Sequence, residues 1–383
     1  MNYVAMALNS REMSIMKIKK IMSSGLENDK HCYLALEQLF KELPYDKMNS
    51  LGKISFNSLL KRSLKTREKF KKYKKIHQNK LNQIKITKPI FITGFPRSGT
   101  TLLQNLLIKN FQIEGIQFWE LLNPIPQIKY KKIDDLLRKI NACFLISIVK
   151  TFGPKINAMH PMKFSSYEEC WHLFLPTFNV YNFDLQFSLQ NYGSWISKNS
   201  IQTAYEEYSD ILKIILYQRK KENIILKCPE HMMFANNISK TFHDSTLIWI
   251  HRDPVKSITS YTNMIYEINK FYKQNVQKKD VAEYVVKKFN EMTKTMLHSM
   301  KKSNGNIINI QYMDLIKNRT KTIEFLSSKC NIEIKKEMSN QDQHDFNKLK
   351  SKINNEPEKL GIHPNEIYSK FNNYMQEFNV IKE

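Results

Sequence analysis

From Lys88 onward, short apolar runs alternate with stretches of helical periodicity. Five runs read as strands: PIFITG (Pro89–Gly94), FQIEGIQF (Phe111–Phe118), NIILKC (Asn223–Cys228), TLIWIH (Thr246–His251) and NIINIQY (Asn306–Tyr312). Short strands that are apolar on both faces and separated by helices predict a mostly parallel sheet covered on both sides, a three-layer α/β/α arrangement. Before Lys85 no such run occurs. Val4, Met6, Leu8, Met13, Ile15, Met16 and Ile18 have the spacing of an amphipathic helix, as does Cys32–Leu43. A long helical pattern follows from Ser55. Between the second and third strands, residues 120–222 are helical and aromatic. An insertion rising from the carboxyl edge of a parallel sheet is where a pocket and lid would lie. With no internal repeat or low-complexity linker, one body is expected: an N-terminal helical region, 1–87, packed on a sheet domain, 88–383.

Composition changes this picture little. Of 383 residues 42% are hydrophobic, enough for a sizeable core. No run of 18 apolar residues occurs, so no membrane span is predicted. The first residues lack the basic-then-apolar order of a signal peptide, and a cytoplasmic protein is expected. Five scattered cysteines without a CxxC pair suggest free thiols and no zinc site. The net charge of +24 allows two readings: attraction to a polyanion, or a Lys-, Asn- and Ile-rich composition. Ten basic residues fall between Lys61 and Lys80, but Leu59, Leu60, Leu64, Phe70, Tyr73 and Ile76 give that segment an apolar stripe. A packed helix with a solvated basic face accounts for it better than a nucleic-acid arm.

The candidate chemistry begins at the first strand's end. Strand, then GFPRSGTT (Gly94–Thr101), then helix is the context of a phosphate-binding loop, with N–H groups converging on an anion at the helix N-terminus. Gly94 and Gly99 have the Walker spacing, yet Thr100 stands where the lysine would be, and the cation sits within the loop as Arg97. A loop lacking that lysine suits triphosphate chemistry poorly; Arg97 offers a planar fork to a short phosphate or sulfate group. At the fourth strand's end, Arg252 precedes Asp253-Pro254, a plausible helix cap and first turn, and Ser260 lies two turns on. Arg252 and Ser260 are thus placed to clasp one phosphate from two sides.

These residues resemble the sulfotransferase superfamily, and more narrowly the bacterial-type family related to tyrosylprotein sulfotransferases. The matching segments are PRSGTTLL (Pro96–Leu103), Arg252 with Ser260, WELLNPIP (Trp119–Pro126), LKCPEH (Leu226–His231), YMDL (Tyr312–Leu315) and IYSKFNNYMQEFNV (Ile367–Val380), the last read as a closing helix. The resemblance implies transfer of a sulfuryl group from 3′-phosphoadenosine 5′-phosphosulfate (PAPS) to a hydroxyl or amine. It implies that Arg97, Ser98, Gly99, Thr100 and Thr101 hold the 5′-phosphosulfate, and that Arg252 and Ser260, with Tyr312 nearby, hold the 3′-phosphate.

A base must take the acceptor's proton. Glu120, just past the second strand, is the first candidate, because tyrosylprotein relatives use a glutamate at a similar position. His160 is the second, and Glu168 and Glu169, equally readable as the first turn of a helix after Ser165-Ser166, follow. Lys227 and His231 are expected to line the site from the third strand's end. No Walker-B carboxylate accompanies a loop lysine, so no metal is predicted. A P-loop kinase and a basic nucleic-acid-binding protein are the rival readings. The acceptor is left open among small molecules, sugars, lipid-linked groups and peptide tyrosines, as is the oligomeric state.

Overall fold

The structure, a computed structural model, describes residues 29–199, 201–335 and 356–383. The helix expected over Val4–Ile18 lies outside these residues. The sheet has five strands, β1 (Ile90–Gly94), β2 (Glu114–Gly115), β3 (Ile224–Lys227), β4 (Thr246–His251) and β5 (Asn306–Gln311), all parallel in the order β2-β3-β1-β4-β5. Every residue of β1, β3 and β4 is buried, as continuous apolar strands require when helices cover both faces. A core cluster lies on each face of the sheet.

Gly94 pairs with Ile250 across β1 and β4, so the loop after β1 and Arg252 after β4 emerge side by side at the carboxyl edge. The chain visits β2 and β3 on one side of β1 and then β4 and β5 on the other. That reversal makes the edge above β1 a topological switch point, where α/β sheets bind ligands.

β2 departs most from expectation. Only Glu114 and Gly115 pair with β3, while Phe111 and Gln117 make isolated bridges to Ile334 and Tyr167. An edge run has one neighbour in the sheet, and here the flanking residues are drawn off by other segments. The closing helix is also broken, into Pro364–Lys370 and Asn372–Glu377, at Phe371, whose buried ring packs edge-on to Phe95.

The N-terminal helices Lys30–Glu42 and Ser50–Gln83 bury Cys32, Leu36, Phe56 and Phe70 in the same cluster as the sheet. In the basic stretch, Arg67 is buried and bonds to Asp29 and Glu207, at 2.9 and 2.8 Å, and Lys74 pairs with Asp210 at 2.6 Å. Part of the charge is therefore answered within the fold. Leu59, Leu60, Leu64, Phe70 and Tyr73 pack inward, whereas Ile76 is exposed. In the insertion, Phe174, Phe178, Tyr181, Phe183, Phe187 and Tyr192 are core. Among the described residues no helix is long and apolar enough to cross a membrane.

Candidate active site

The loop after β1 is shaped by two glycines. Gly94 has φ +149°, and a Cβ there would lie 2.5 Å from the Ile250 carbonyl oxygen. Gly99 has φ +97°, and its missing side chain is replaced by the Tyr312 ring, which a Cβ would approach to 2.8 Å. Arg97 also takes a left-handed φ, of 71°, which points to a loop held by its surroundings. Gly99 provides no side-chain cap for the helix Thr100–Asn110, so the first-turn N–H groups keep their donor capacity. Beside them Ser98 is fully buried, and its hydroxyl has no hydrogen-bond partner among the described residues. A buried polar group is ordinarily satisfied, and this one is suited to an anion in the loop.

The second cationic element meets the loop directly. Arg252 donates through Nη1 to the Arg97 carbonyl at 2.8 Å, and Arg97 donates through Nε to Ser260 Oγ at 3.2 Å. The Arg252 guanidinium lies 3.9 Å from the Tyr312 ring centroid, so Tyr312 packs against both Gly99 and Arg252. Asp253 caps the helix Pro254–Tyr272, accepting from Val255 N at 2.7 Å, with Pro254 in its first turn. That cap sets the helix so that Ser260 faces back to the loop. Burial, with Arg252's charge beside it, lowers the Arg97 pKa.

The remaining fork of Arg252 is held by Glu383, which accepts from Nε and Nη2 at 2.9 and 3.0 Å. The Glu383 amide in turn donates to Asp253 Oδ2 at 2.8 Å. No feature of local sequence points to this contact, which joins residues 131 positions apart.

Arg97, Gly99, Thr100, Thr101, Arg252, Ser260 and Tyr312 all line one cavity of ≈ 1160 Å³. His160, Glu168, Glu169, His172 and Glu230 line it too. His160 Nε2 lies 2.9 Å from Glu168 Oε2, and Arg97 Nη1 reaches the Met159 carbonyl at 3.4 Å, which ties the dyad's segment to the loop. Burial raises the Glu168 carboxyl pKa, but the His160 bond and nearby charges outweigh it and hold the group below the usual range. An ionised Glu168 only accepts, so His160 donates from Nε2, and in the neutral ring Nδ1 carries the lone pair.

Other expected residues lie differently. Glu120 is not among the cavity's lining side chains. Its carboxylate accepts from both Nε (2.8 Å) and Nη2 of Arg219, and from the Gln117 amide at 3.1 Å. Arg219 also donates to the Gly115 carbonyl at 2.8 Å. The pair thus fastens the β2 edge to the helix Gln202–Arg219. Glu120, expected as the base at the acceptor, is thus engaged by a guanidinium fork and a backbone amide away from the cavity lining. Glu120→Gln is expected to cost about 1–3 kcal/mol of stability in denaturant melts. Turnover per folded molecule should stay within about threefold of the parent; a much larger loss would reinstate Glu120 in the chemistry.

Lys227 is fully buried beneath the cavity wall, its Nζ 3.4 Å from Glu169 Oε1. His231 lies in the core, with Nδ1 2.9 Å from the Tyr205 hydroxyl and Nε2 3.1 Å from Cys170 Sγ, instead of lining the site. Of the two readings of Glu168 and Glu169, the helix first turn does not form: both precede a 3₁₀ turn, Cys170–Thr177.

Two lining residues escape a sequence reading. Glu230 follows β3 at the same sheet edge and, through burial with Glu169 nearby, has its carboxyl pKa raised well above the usual range. Its position within LKCPEH, at the end of β3, is the one sequence signal for it. His172 is stacked on Trp171 and bonded to the Glu169 carbonyl, and burial lowers its pKa to about 4.

A basic loop and an uncapped helix N-terminus thus meet at the carboxyl edge of an all-parallel sheet in an α/β protein. The chain belongs to the sulfotransferase family, whose profile matches residues 89–336, more than half its length. In fold it is similar to the sulfotransferase STF1 of Mycobacterium tuberculosis H37Rv, with a TM-score of 0.72 and 17% identity over 92% of this chain and 98% of that one. The sulfotransferase STF9 of Mycobacterium avium gives a TM-score of 0.69 and 16% identity over 88% of each chain. No curated protein matches it in sequence.

Proposed function

We propose that the protein transfers a sulfuryl group from PAPS to a hydroxyl of an acceptor held in the cavity. The observation that carries this is the meeting of two distant elements, Arg97 with Ser260 and Arg252 with the Arg97 carbonyl, around an uncapped helix start. The buried Ser98 hydroxyl, the first-turn N–H groups, Arg97, Thr100 and Thr101 fit a 5′-phosphosulfate. Arg252, stacked on Tyr312, fits the 3′-phosphate beside Ser260. Glu383 supports this assignment, since its two oxygens occupy the Arg252 fork as two phosphate oxygens would.

In this reading the acceptor oxygen bonds to sulfur as the sulfur–oxygen bond to the 5′-phosphate breaks, releasing 3′-phosphoadenosine 5′-phosphate. Charge growing on the leaving phosphate is met by Arg97 and the loop N–H groups. The hydroxyl proton passes to His160 Nδ1, while ionised Glu168 orients the ring and stabilises the imidazolium. Lys227, held under Glu169, contributes positive charge from below the wall. The arginines and helix start supply the stabilising charge, so no metal is called for, and turnover in EDTA should be unchanged.

A thermal-shift series tests the donor. 3′-Phosphoadenosine 5′-phosphate should raise the melting temperature well above the effect of ATP or AMP at equal concentration, because binding to the folded state alone stabilises it. A preference for ATP with Mg²⁺ would replace this reading with a kinase. Glu383→Gln removes a competing carboxylate from Arg252 and is expected to tighten that nucleotide's binding by about 3–10-fold. Calorimetry showing unchanged or weaker affinity would remove the 3′-phosphate from Arg252.

A further inference from the structure

The cavity is larger than its anion end requires. The same enclosure is walled by Leu59 of the helix Ser50–Gln83, by Leu145, Ile148 and Val149 of the helix Lys131–Phe152, and by Ile265 and Ile268 of the helix Pro254–Tyr272. Ile54 and Phe152 also line it and are 66% and 60% exposed, so the apolar part reaches the surface through an apolar mouth.

The helix Lys131–Phe152 forms one side of that mouth and has a second apolar face. Asp134, Arg138, Ala142 and Ile146 are its buried residues. Ile133, Leu136, Leu137, Ile140 and Phe144 are exposed, Leu136 at 57% and Phe144 at 62%. Their spacing of 3, 4, 7 and 11 from Ile133 puts them in one stripe, opposite the buried face. Ile128 and Tyr130 continue the exposed apolar surface ahead of the helix. Lys132, Lys139 and Lys150 fall along one flank of the stripe by the same periodicity, Lys139 lying over the Trp119 ring, and Lys129 and Lys131 stand at its start, Lys131 paired with Asp135. Soluble surfaces seldom present so continuous an apolar patch without a use for it. An exposed apolar stripe edged by lysines has the pattern of a helix lying in a membrane interface.

We infer that this helix docks on an anionic lipid bilayer and that the acceptor is a hydroxyl-bearing membrane lipid, whose acyl chain enters the cavity past Ile54 and Phe152. The inference rests on the sulfotransferase reading for what happens to the lipid; the docking does not. Three observations favour a bilayer over a protein partner. Lys129, Lys132 and Lys150 and the chain's net charge of +24 complement an anionic surface. The docking helix is also the wall of the apolar chamber. The mouth opens where that helix ends, so a lipid could pass from bilayer to cavity with its chain remaining in apolar surroundings.

The test is flotation of the full chain with two vesicle preparations, pure phosphatidylcholine and phosphatidylcholine containing phosphatidylglycerol. The protein should float with the anionic vesicles at least tenfold more than with the neutral ones. The double substitution Leu136→Glu with Phe144→Glu should abolish flotation. Both side chains are exposed and outside the cavity, so the shift given by 3′-phosphoadenosine 5′-phosphate should be retained and shows that the variant is folded. A second arm compares octyl glucoside, below its micellar concentration, with glucose: only the alkyl glucoside should raise the melting temperature. No anionic preference, flotation that survives the double substitution, or equal effects of glucose and octyl glucoside would each overturn the inference. So would a self-association abolished by the double substitution in a protein that never floats. Flotation without any nucleotide shift would instead remove the donor assignment and leave the docking in place.

Discussion

Arg97→Ala is expected to lower turnover ~10²–10³-fold, the loss seen when one preorganised donor to a developing oxyanion is removed. The side chain is fixed before any ligand arrives, by Ser260 and the Met159 carbonyl, and its backbone is held by Arg252. Burial and the neighbouring Arg252 charge both work against its protonated state, as the downward shift shows. A dianionic group between the two guanidinium groups relieves that repulsion, and the relief grows as charge builds on the leaving oxygen. Arg97→Lys should recover little, because a point charge cannot reproduce the planar fork and would not keep the Ser260 bond. Binding of 3′-phosphoadenosine 5′-phosphate should fall much less than turnover, since Arg252 is left in place. Steady-state rates at saturating PAPS are the check, and a threefold loss or less would take Arg97 out of the transition state.

The second large effect is at the dyad. His160→Ala should reduce turnover ~10²–10⁴-fold, the range for a positioned general base. Glu168→Gln should cost less, and the double substitution no more than His160→Ala alone, because the two act as one unit. Cosubstrate binding should be preserved in all three. Glu168 also makes a statement about pH. Its folded pKa is depressed, so its contribution to stability is present above the ordinary carboxylate value and is lost as pH falls through the folded value. A rate limb near neutrality would therefore not belong to Glu168. Near-parental turnover of His160→Ala would pass the proton to another carboxylate lining the cavity, Glu169 or Glu230.

How much of this could be read along the chain varies with the range of the interaction. TLIWIH is β4 residue for residue, because its five consecutive apolar or β-favouring residues, Thr246 to Ile250, have one stable place, the middle of a covered sheet. FQIEGIQF is equally β-like but supplies only two paired residues. An edge strand's length depends on what else competes for its backbone, and Ile334 and Tyr167 are far from it in sequence. Asp253 as a cap was legible because a cap's partner lies two residues away. Glu120 was not, because Arg219 comes 99 residues later. Until the helix Gln202–Arg219 packs against the β2 edge, nothing shows that this carboxylate has a cationic partner.

The class of sheet, the donor-rich loop with arginine in place of lysine, the second arginine after β4 and the family can all be read along the chain. Those properties follow from local backbone preference and from the charge each side chain carries wherever it is placed. The tertiary structure alone decided which acids are neutralised and which face the cavity. Glu120 is answered by Arg219 and Arg252 by Glu383, while His160 is set against Glu168 at the cavity wall. The same packing turned one face of the helix Lys131–Phe152 inward and left its other apolar face outside. Ion pairing and desolvation depend on distances of a few ångströms between segments far apart in the chain, and only folding sets those distances.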